Sequence, residues 1–146
     1  MEIISKNLSD SEKFAEEFVA QLASPDGHRG ASVVGLYGNL GSGKTTFVQS
    51  VARALGVKEY LTSPTFVIMK RFTIQDSRFK NLIHVDAYRL KSSAELEKLG
   101  FKELLKDPGN FILIEWADIV ADILPPKHKK LNFEFIDATT RKIISE

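Results

Sequence analysis

The stretch that decides the fold is G-N-L-G-S-G-K-T, which runs from Gly38 to Thr45. Its spacing is that of a phosphate-binding loop: two glycines enclose four residues and are followed by Lys and by Ser or Thr. Glycines let the backbone curl so that successive N–H groups point at phosphate oxygens. Lys44 supplies a mobile positive charge, and Thr45 supplies a hydroxyl ligand for Mg²⁺. The stretch therefore predicts a site for a nucleoside triphosphate with Mg²⁺.

The residues on either side of this loop form a strand–loop–helix unit. Residues 31–37 are a short apolar run, typical of a buried strand that leads directly into the loop. After the loop, helical spacing relates Phe47, Val48, Val51, Ala52 and Leu55, and Gly56 is expected to end the helix. The positive end of that helix dipole faces the phosphates, which is the context that the motif requires.

The rest of the chain alternates between helical and strand patterns. A capping-box spacing at Ser9 and Glu12 predicts a first helix that ends near Ser24, before a turn at residues 24–27. The same spacing at Ser92 predicts a helix that Gly100 interrupts. Runs of β-forming residues predict strands at 65–72, 81–88, 111–116, 131–136 and 142–144.

Length and composition limit the class of protein. A chain of 146 residues with 43% hydrophobic content is expected to bury one core, so residues 1–146 are interpreted as a single domain. The formal net charge of +1 gives no global case for binding a nucleic acid or an anionic membrane. There is no cysteine, no signal peptide and no apolar run of membrane-spanning length. We therefore expect a cytoplasmic protein.

Two acids are expected to complete the site. Asp86 and Glu115 each follow a run of apolar β-forming residues, at the point where a strand ends. The octahedral shell of Mg²⁺ is completed by water, phosphate and one or two acids. The spacing leaves open which acid binds the metal and which orients the attacking water.

Several other residues carry weaker signals. His84 lies on the same side of its strand as Asp86, and the favoured interpretation is a hydrogen-bonded structural group. The pair Tyr88-Arg89 could lie near the γ-phosphate or end a solvated strand, and Trp116 could be core or lie against the nucleotide. The basic cluster at 125–130, PPKHKK, is interpreted as a solvated loop. No N-K-x-D element of the kind that reads guanine is present, which favours ATP over GTP.

Taken together, a series of motifs in this order and spacing resembles one family, the bacterial tRNA threonylcarbamoyladenosine biosynthesis ATPase of the TsaE type, formerly called YjeE. The motifs are GNLGSGKTTF, SPTF at 63–66, HVDAYRL at 84–90, ELEKLGF at 95–101 and IEWAD at 114–118. The resemblance extends from the helix after Ser9 to Arg141. The SPTF, D-x-Y-R and E-W elements together are far more specific than the phosphate loop.

The resemblance implies a single-domain α/β P-loop NTPase fold, with a mixed, mostly parallel sheet flanked by helices. It also implies an ATPase that uses ATP and Mg²⁺, is weak alone and works with the TsaD and TsaB proteins. That assembly installs threonylcarbamoyl on adenosine 37 of tRNAs that read codons starting with A. Contact with tRNA is then indirect, through the complex, and no DNA or membrane is involved.

Residue by residue, the resemblance assigns Lys44 to the phosphates, Thr45 and Glu115 to Mg²⁺, and Asp86 to the attacking water. Ser11 and Arg141 fall where the family approaches the base of the nucleotide. The residues expected to contact the nucleotide are Gly38, Asn39, Leu40, Gly41, Ser42, Gly43, Lys44, Thr45, Thr46, Ser11 and Arg141. A switch-like loop near the γ-phosphate is expected at Ser63, Pro64, Thr65 and Phe66.

The chain departs from the family pattern at a few positions. Asn39 stands where the family usually has Asp, Ala117-Asp118 replaces a common Pro-Glu, and the usual glycine before Arg141 is missing. None of these departures changes a residue that is expected to carry hydrolysis, namely Lys44, Thr45, Asp86 or Glu115. Two alternatives stay open: a small-molecule kinase, and a nucleotide-dependent docking switch that does not hydrolyse ATP.

Overall fold

The computed structural model describes residues 2–22, 30–39, 41–58 and 68–146. Three sequence predictions lie outside these residues: the turn at 24–27, Leu40 of the phosphate loop, and the switch-like loop Ser63–Phe66. Within the described ranges, no helix combines the length and the apolar character that crossing a membrane requires.

The described chain contains seven strands and four α-helices. The strands are β1 Glu2–Ser5, β2 Ser32–Tyr37, β3 Met69–Thr73, β4 Asn81–Asp86, β5 Asn110–Glu115, β6 Lys129–Phe135 and β7 Arg141–Ser145. The α-helices are α1 Leu8–Ala20, α2 Lys44–Ala54, α3 Ser93–Glu97 and α4 Phe101–Leu104, and a 3₁₀ helix spans Ala117–Ile123.

The seven strands form one mixed sheet in the order β1-β7-β6-β2-β5-β4-β3. Strands β6, β2, β5 and β4 pair in parallel at its centre, and antiparallel pairs extend it at both ends. The carboxyl ends of β2, β4 and β5 therefore meet at one edge of the sheet, where α/β proteins bind ligands. The α/β fold class expected from the sequence is confirmed.

Two apolar clusters, one on each side of the sheet, form the core. Helices α1 and α2 cover one side, where Phe47 is 1% exposed and its ring contacts those of Phe14, Phe18 and Phe133. The short helices that follow β4 and β5 contribute to the other cluster. Because both sides are covered, every residue of β5 is buried, which explains its continuous apolar sequence.

The first helix begins and ends earlier than its sequence pattern predicted. It starts at Leu8, and the Asn7 side chain caps it by accepting a hydrogen bond from the Asp10 backbone N–H at 2.9 Å. The capping box at Ser9 and Glu12 was therefore wrong, because Asn7 lies two residues upstream and takes the N-cap position.

The break at Gly100 is confirmed, and it separates α3 from α4 with a φ of +87°. The capping box predicted at the start of α3 was wrong: Glu95 accepts at 2.8 Å from the N–H of Lys91, one residue before the N-cap. Ser92 is the N-cap residue but makes no side-chain capping bond among the described residues.

Arg78 fastens the end of α1 to the segment between β3 and β4. Its guanidinium donates to the carbonyls of Val19 at 2.7 Å and Leu22 at 3.0 Å, and it pairs with Asp76 at 2.9 Å. The cation thus satisfies carbonyls near the negative end of the helix dipole. The hydrogen bond from Arg78 is also the main cause that lowers the pKa of Asp76.

We expect Arg78→Met to lower the free energy of unfolding by about 1.5–3 kcal/mol at pH 7, the range for hydrogen bonds to charged groups. Because the pKa of Asp76 is lowered, its carboxylate stabilises the fold at pH values above the ordinary pKa of 3.8. This contribution is lost as the pH falls through the lowered pKa. The difference in the free energy of unfolding between the wild type and the variant should therefore shrink in acid. It should not vanish, because the wild type keeps the hydrogen bonds from Arg78 to the two carbonyls. Urea unfolding at pH 7 and below pH 4 measures this, with exposed Lys80→Met as control; equal stability at pH 7 would contradict it.

Candidate active site

The phosphate loop connects β2 to α2 at the edge of the sheet where the parallel strands end. Gly38 has a φ of +138°, and a Cβ there would lie 2.3 Å from the carbonyl oxygen of Phe133. Gly43 is the N-cap of α2 with a φ of +102°. Both conformations favour glycine, so these two positions of the motif are required by the shape of the loop. The first turn of α2 then presents free N–H groups beside the loop.

Lys44 is held inside the loop rather than extended into solvent. It is 4% exposed, and its Nζ donates to the carbonyls of Gly38 and, at 3.0 Å, of Asn39. The same ammonium lies 3.9 Å from the centre of the Trp116 ring. Burial lowers the pKa of Lys44, while Glu115, Asp118 and Asp86 oppose this effect. The loop thus contains a partly desolvated cation that anionic phosphates would stabilise.

Glu115, the last residue of β5, links the loop to the centre of the sheet. The Thr45 hydroxyl donates to its Oε1 at 2.7 Å. Its Oε2 lies 2.6 Å from Nε2 of His84 on β4. Glu115 and His84 are 3% and 2% exposed, so this carboxylate has a defined orientation toward the loop. The structure therefore brings two residues predicted for Mg²⁺, Thr45 and Glu115, into direct contact.

Asp86 ends β4 beside Glu115, with which it pairs in the register of the two parallel strands. It is partly buried, and its Oδ1 accepts the Tyr88 N–H at 3.1 Å. Burial is the main cause that raises the pKa of Asp86; the Tyr88 N–H lowers it, and nearby Glu115 raises it further. The two acids found at strand ends in the sequence thus lie side by side, and Asp86 has the raised pKa that is common among catalytic acids and bases.

Trp116 contacts Lys44 of the loop and also packs against the apolar cluster on its side of the sheet, so both interpretations drawn from the sequence stay open. It leaves β5 with φ 58° and ψ 44° and, among the described residues, is the only non-glycine residue with a positive φ. Its ring contacts Lys44 and lies 4.9 Å from that of Tyr88. A left-handed backbone at a bulky residue is costly and is concentrated at functional sites. No sequence signal predicted this left-handed backbone.

Two adjoining cavities lie along the start of α2. The first, of about 260 Å³, covers the phosphate loop and is lined by Asn39, Gly41, Ser42, Gly43, Lys44, Thr45, Thr46, Glu115, Trp116 and Arg141. The second, of about 310 Å³, is lined by Asn7, Leu8, Ser11, Gly43, Thr46, Ala138, Thr139 and Arg141. Gly43, Thr46 and Arg141 line both, so the two cavities adjoin, and together they are called the groove.

The second cavity contains both residues that the resemblance placed at the base end, Ser11 and Arg141. The Ser11 hydroxyl lies 2.6 Å from that of Ser5. Arg141 donates to the backbone oxygen of Asp137 at 2.6 Å and lies over the Phe135 ring at 4.7 Å. Sequence reasoning missed Asn7 and Leu8, which were assigned to no element; recognising Asn7 as an N-cap would have moved the helix start into this cavity.

The described residues contain no cluster of three or more His, Cys, Asp or Glu side chains that could bind a metal. Mg²⁺ beside phosphates usually keeps several water ligands and takes only one or two from protein carboxylates. The Thr45 hydroxyl and the Glu115 carboxylate are oxygen donors of the required chemistry, in contact at the mouth of the loop.

Of the residues with weaker sequence signals, His84 and Tyr88 contact residues of the site, and the basic cluster at 125–130 does not line it. His84 contacts Glu115 directly, and Tyr88 packs against Trp116. The basic cluster at 125–130 lines neither of the two cavities that form the groove. Its His128 instead bonds Tyr37 at 2.8 Å, through Nε2 and the phenol oxygen.

Comparison with known proteins assigns this chain to a family. A family model described as "Threonylcarbamoyl adenosine biosynthesis protein TsaE" matches residues 5–143, from the end of β1 into β7. The chain belongs to the TsaE family. The match includes every described residue of the groove, and the resemblance drawn from the sequence motifs is confirmed.

Individual relatives support the assignment to TsaE. Proteins named tRNA threonylcarbamoyladenosine biosynthesis protein TsaE are similar to this chain in Rickettsia felis, at 36% identity over 95% of the chain and 75% of the relative, and in Aquifex aeolicus, at 34% over 97% and 92%. The crystal structure of Bacillus subtilis YdiB matches with a TM-score of 0.71 and 26% identity, over 98% of this chain and 82% of that one.

Proposed function

We propose that this TsaE-family chain hydrolyses ATP to ADP and phosphate in the biosynthesis of threonylcarbamoyladenosine in tRNA. The observation that carries the proposal is the 2.7 Å hydrogen bond from Thr45 to Glu115, which joins the phosphate loop to a carboxylate at the end of a central strand. Hydrolysis needs a bound metal and an oriented water molecule: the Thr45–Glu115 pair offers ligands for the metal, and Asp86, which pairs in register with Glu115, offers a carboxylate for the water.

The residues fit ATP with Mg²⁺. The loop backbone and Lys44 would hold the β- and γ-phosphates, with Lys44 exchanging its contacts to Gly38 and Asn39 for phosphate oxygens. Thr45 and Glu115 would hold Mg²⁺, which when bound neutralises charge on the phosphates. Ser11, Thr46 and Arg141 line the continuation of the groove, where the nucleoside would lie.

In the reaction, a water oxygen forms a bond to the γ-phosphorus while the bond from that phosphorus to the β,γ-bridging oxygen breaks. Asp86 would orient this water and accept its proton, and its partial burial and raised pKa favour such a role. Lys44 would stabilise the charge that develops on the leaving ADP.

We further propose that the TsaD and TsaB proteins stimulate this turnover, and that contact with tRNA is indirect. The family membership supports the first statement, and the balanced charge of the chain supports the second.

The test is to measure phosphate release by the chain alone, with TsaD, with TsaB and with both, beside an assay of threonylcarbamoyladenosine formation on tRNA. Stimulation by the partners together with tRNA modification is the expected result. Absence of both effects would overturn the function. Turnover that requires an added phosphate acceptor would instead indicate a small-molecule kinase. Turnover that stays unchanged in Asp86→Asn and Glu115→Gln would contradict hydrolysis at this site.

Trp116 makes nucleotide binding observable. It is the only tryptophan of the chain, and its ring lies against Lys44. Because phosphates would draw the ammonium away from the ring, ADP·Mg²⁺ should produce a saturable change in tryptophan emission. Mg²⁺ alone should produce none. A titration in which saturating ADP·Mg²⁺, with binding verified by calorimetry, leaves the emission unchanged would disprove this coupling.

Arg141 offers a test of the second cavity. Because Arg141 lines both cavities, its replacement by Met should weaken ADP affinity about tenfold, corresponding to one lost hydrogen bond to a charged group. Arg53→Met is the matched control, since Arg53 is largely exposed on α2 and lines neither cavity. Equal affinities of the two variants, measured by calorimetry, would remove Arg141 from the nucleotide site.

A further inference from the structure

The buried pair of Glu115 and His84 has a feature that hydrolysis alone does not explain. The two oxygens of Glu115 have separate partners: Oε1 receives the Thr45 hydroxyl at 2.7 Å, and Oε2 lies 2.6 Å from His84 Nε2. One oxygen thus faces the phosphate loop, and the other faces the interior of the sheet.

The chemistry of the pair indicates which nitrogen of the imidazole carries the donated proton. A carboxylate only accepts hydrogen bonds, so the ring N–H at Nε2 donates to Oε2. His84 is therefore a donor to Glu115, and this bond restricts rotation of the carboxylate about its last side-chain torsion.

The backbone of the donor is itself rigid. His84 lies within β4, which pairs with β3 on one side and β5 on the other, and its backbone is in register with Leu113, two residues before Glu115. Residues two apart on a strand point to the same side, which brings His84 and Glu115 together. Both side chains are at least 97% buried, so no water can readily replace the imidazole.

We propose that His84 is a positioning residue for the cation site: it holds the Glu115 carboxylate so that Oε1 stays directed at Thr45 and at the Mg²⁺ that accompanies the nucleotide. This inference rests on the proposed function for the identity of the cation. Residues that orient metal ligands in this way typically contribute 10- to 100-fold to metal affinity.

Two variants separate positioning from packing. His84→Phe keeps an aromatic ring of similar size but removes the N–H donor, and His84→Gln loses the ring but keeps an amide N–H that reaches a similar distance. Calorimetry measures ADP affinity of the full chain in Mg²⁺ and in EDTA, and the ratio of the two affinities is the effect of the cation. We expect His84→Phe to reduce this ratio about 10- to 100-fold, with the EDTA affinity unchanged within about twofold, and His84→Gln to retain most of it.

Glu115→Gln is the reference that separates failure of this inference from failure of the proposed function. A full Mg²⁺ effect in His84→Phe but not in Glu115→Gln would overturn the role of His84 alone. A full effect in both would overturn the cation site as well. Equal loss of affinity in Mg²⁺ and EDTA would show that His84 only maintains the fold.

If His84→Phe does not fold, the imidazole is observed directly in the wild-type chain. Long-range ¹H–¹⁵N spectra should show the proton of His84 on Nε2, with a shift that changes in Glu115→Gln. A proton on Nδ1 alone would overturn the proposal.

Discussion

Replacement of Lys44 by alanine is expected to weaken binding of ATP·Mg²⁺ at least 100-fold. Each hydrogen bond to a charged group contributes about 1.5–3 kcal/mol, and an ammonium that contacts two phosphates would lose at least about 3 kcal/mol. Calorimetry with ADP·Mg²⁺ and with a non-hydrolysable ATP analogue measures the loss. Burial lowers the pKa of Lys44, so removal of this partly desolvated charge should not reduce the stability of the fold.

Lys98→Ala serves as the control, because Lys98 is exposed at the end of α3 and lines neither cavity. Thermal unfolding of both variants checks that the fold is retained. A folded Lys44→Ala chain that binds nucleotide normally would refute the assignment of the whole site, since no other lysine lines the groove.

The second large effect is expected at Asp86. Asp86→Asn keeps the shape of the side chain but removes its ability to accept a proton, so partner-stimulated turnover should fall about 10²- to 10⁴-fold. ADP affinity should stay within about threefold, because the assigned role concerns water and not the nucleotide. Phosphate release in the presence of TsaD and TsaB, combined with calorimetry, separates the two quantities.

Asp107→Asn is the matched control. Asp107 is exposed in the turn before β5, where its Oδ1 accepts a hydrogen bond from the Gly109 N–H. The amide oxygen of Asn can accept the same hydrogen bond. Normal turnover in Asp86→Asn would assign the water to another group. A parallel loss of turnover and ADP affinity would indicate that Asp86 contributes to binding instead.

The elements nearest the site were predictable because their signals are local. The loop from Gly38 to Thr45 depends on backbone conformations that only its own glycines supply readily, and α2 follows it at the expected residue. Asp86 and Glu115 were found because each directly follows a run of apolar residues that forms a buried strand. The break at Gly100 is a local property of the same kind.

Other elements could not be read from the chain. Strand β1 has only four residues and depends on pairing with β7 at the opposite end of the sequence. The start of α1 was misplaced because several residues there are competent N-caps, and the structure uses Asn7. Trp116 adopts a left-handed conformation where its ring contacts Lys44, a residue distant in the sequence.

By itself, then, the sequence determined the glycine-rich loop, which predicts a nucleotide as ligand, and the two acids at the strand ends beside it. Only the tertiary structure decided how these groups act on one another. Glu115 receives its partners from Thr45, 70 residues away, and from His84, 31 residues away. The physical reason is that strand order brings these residues to the same edge of the sheet, and the sequence pattern does not encode that order. The register of β4 and β5 is also not fixed by alternation, because both strands are buried on both faces.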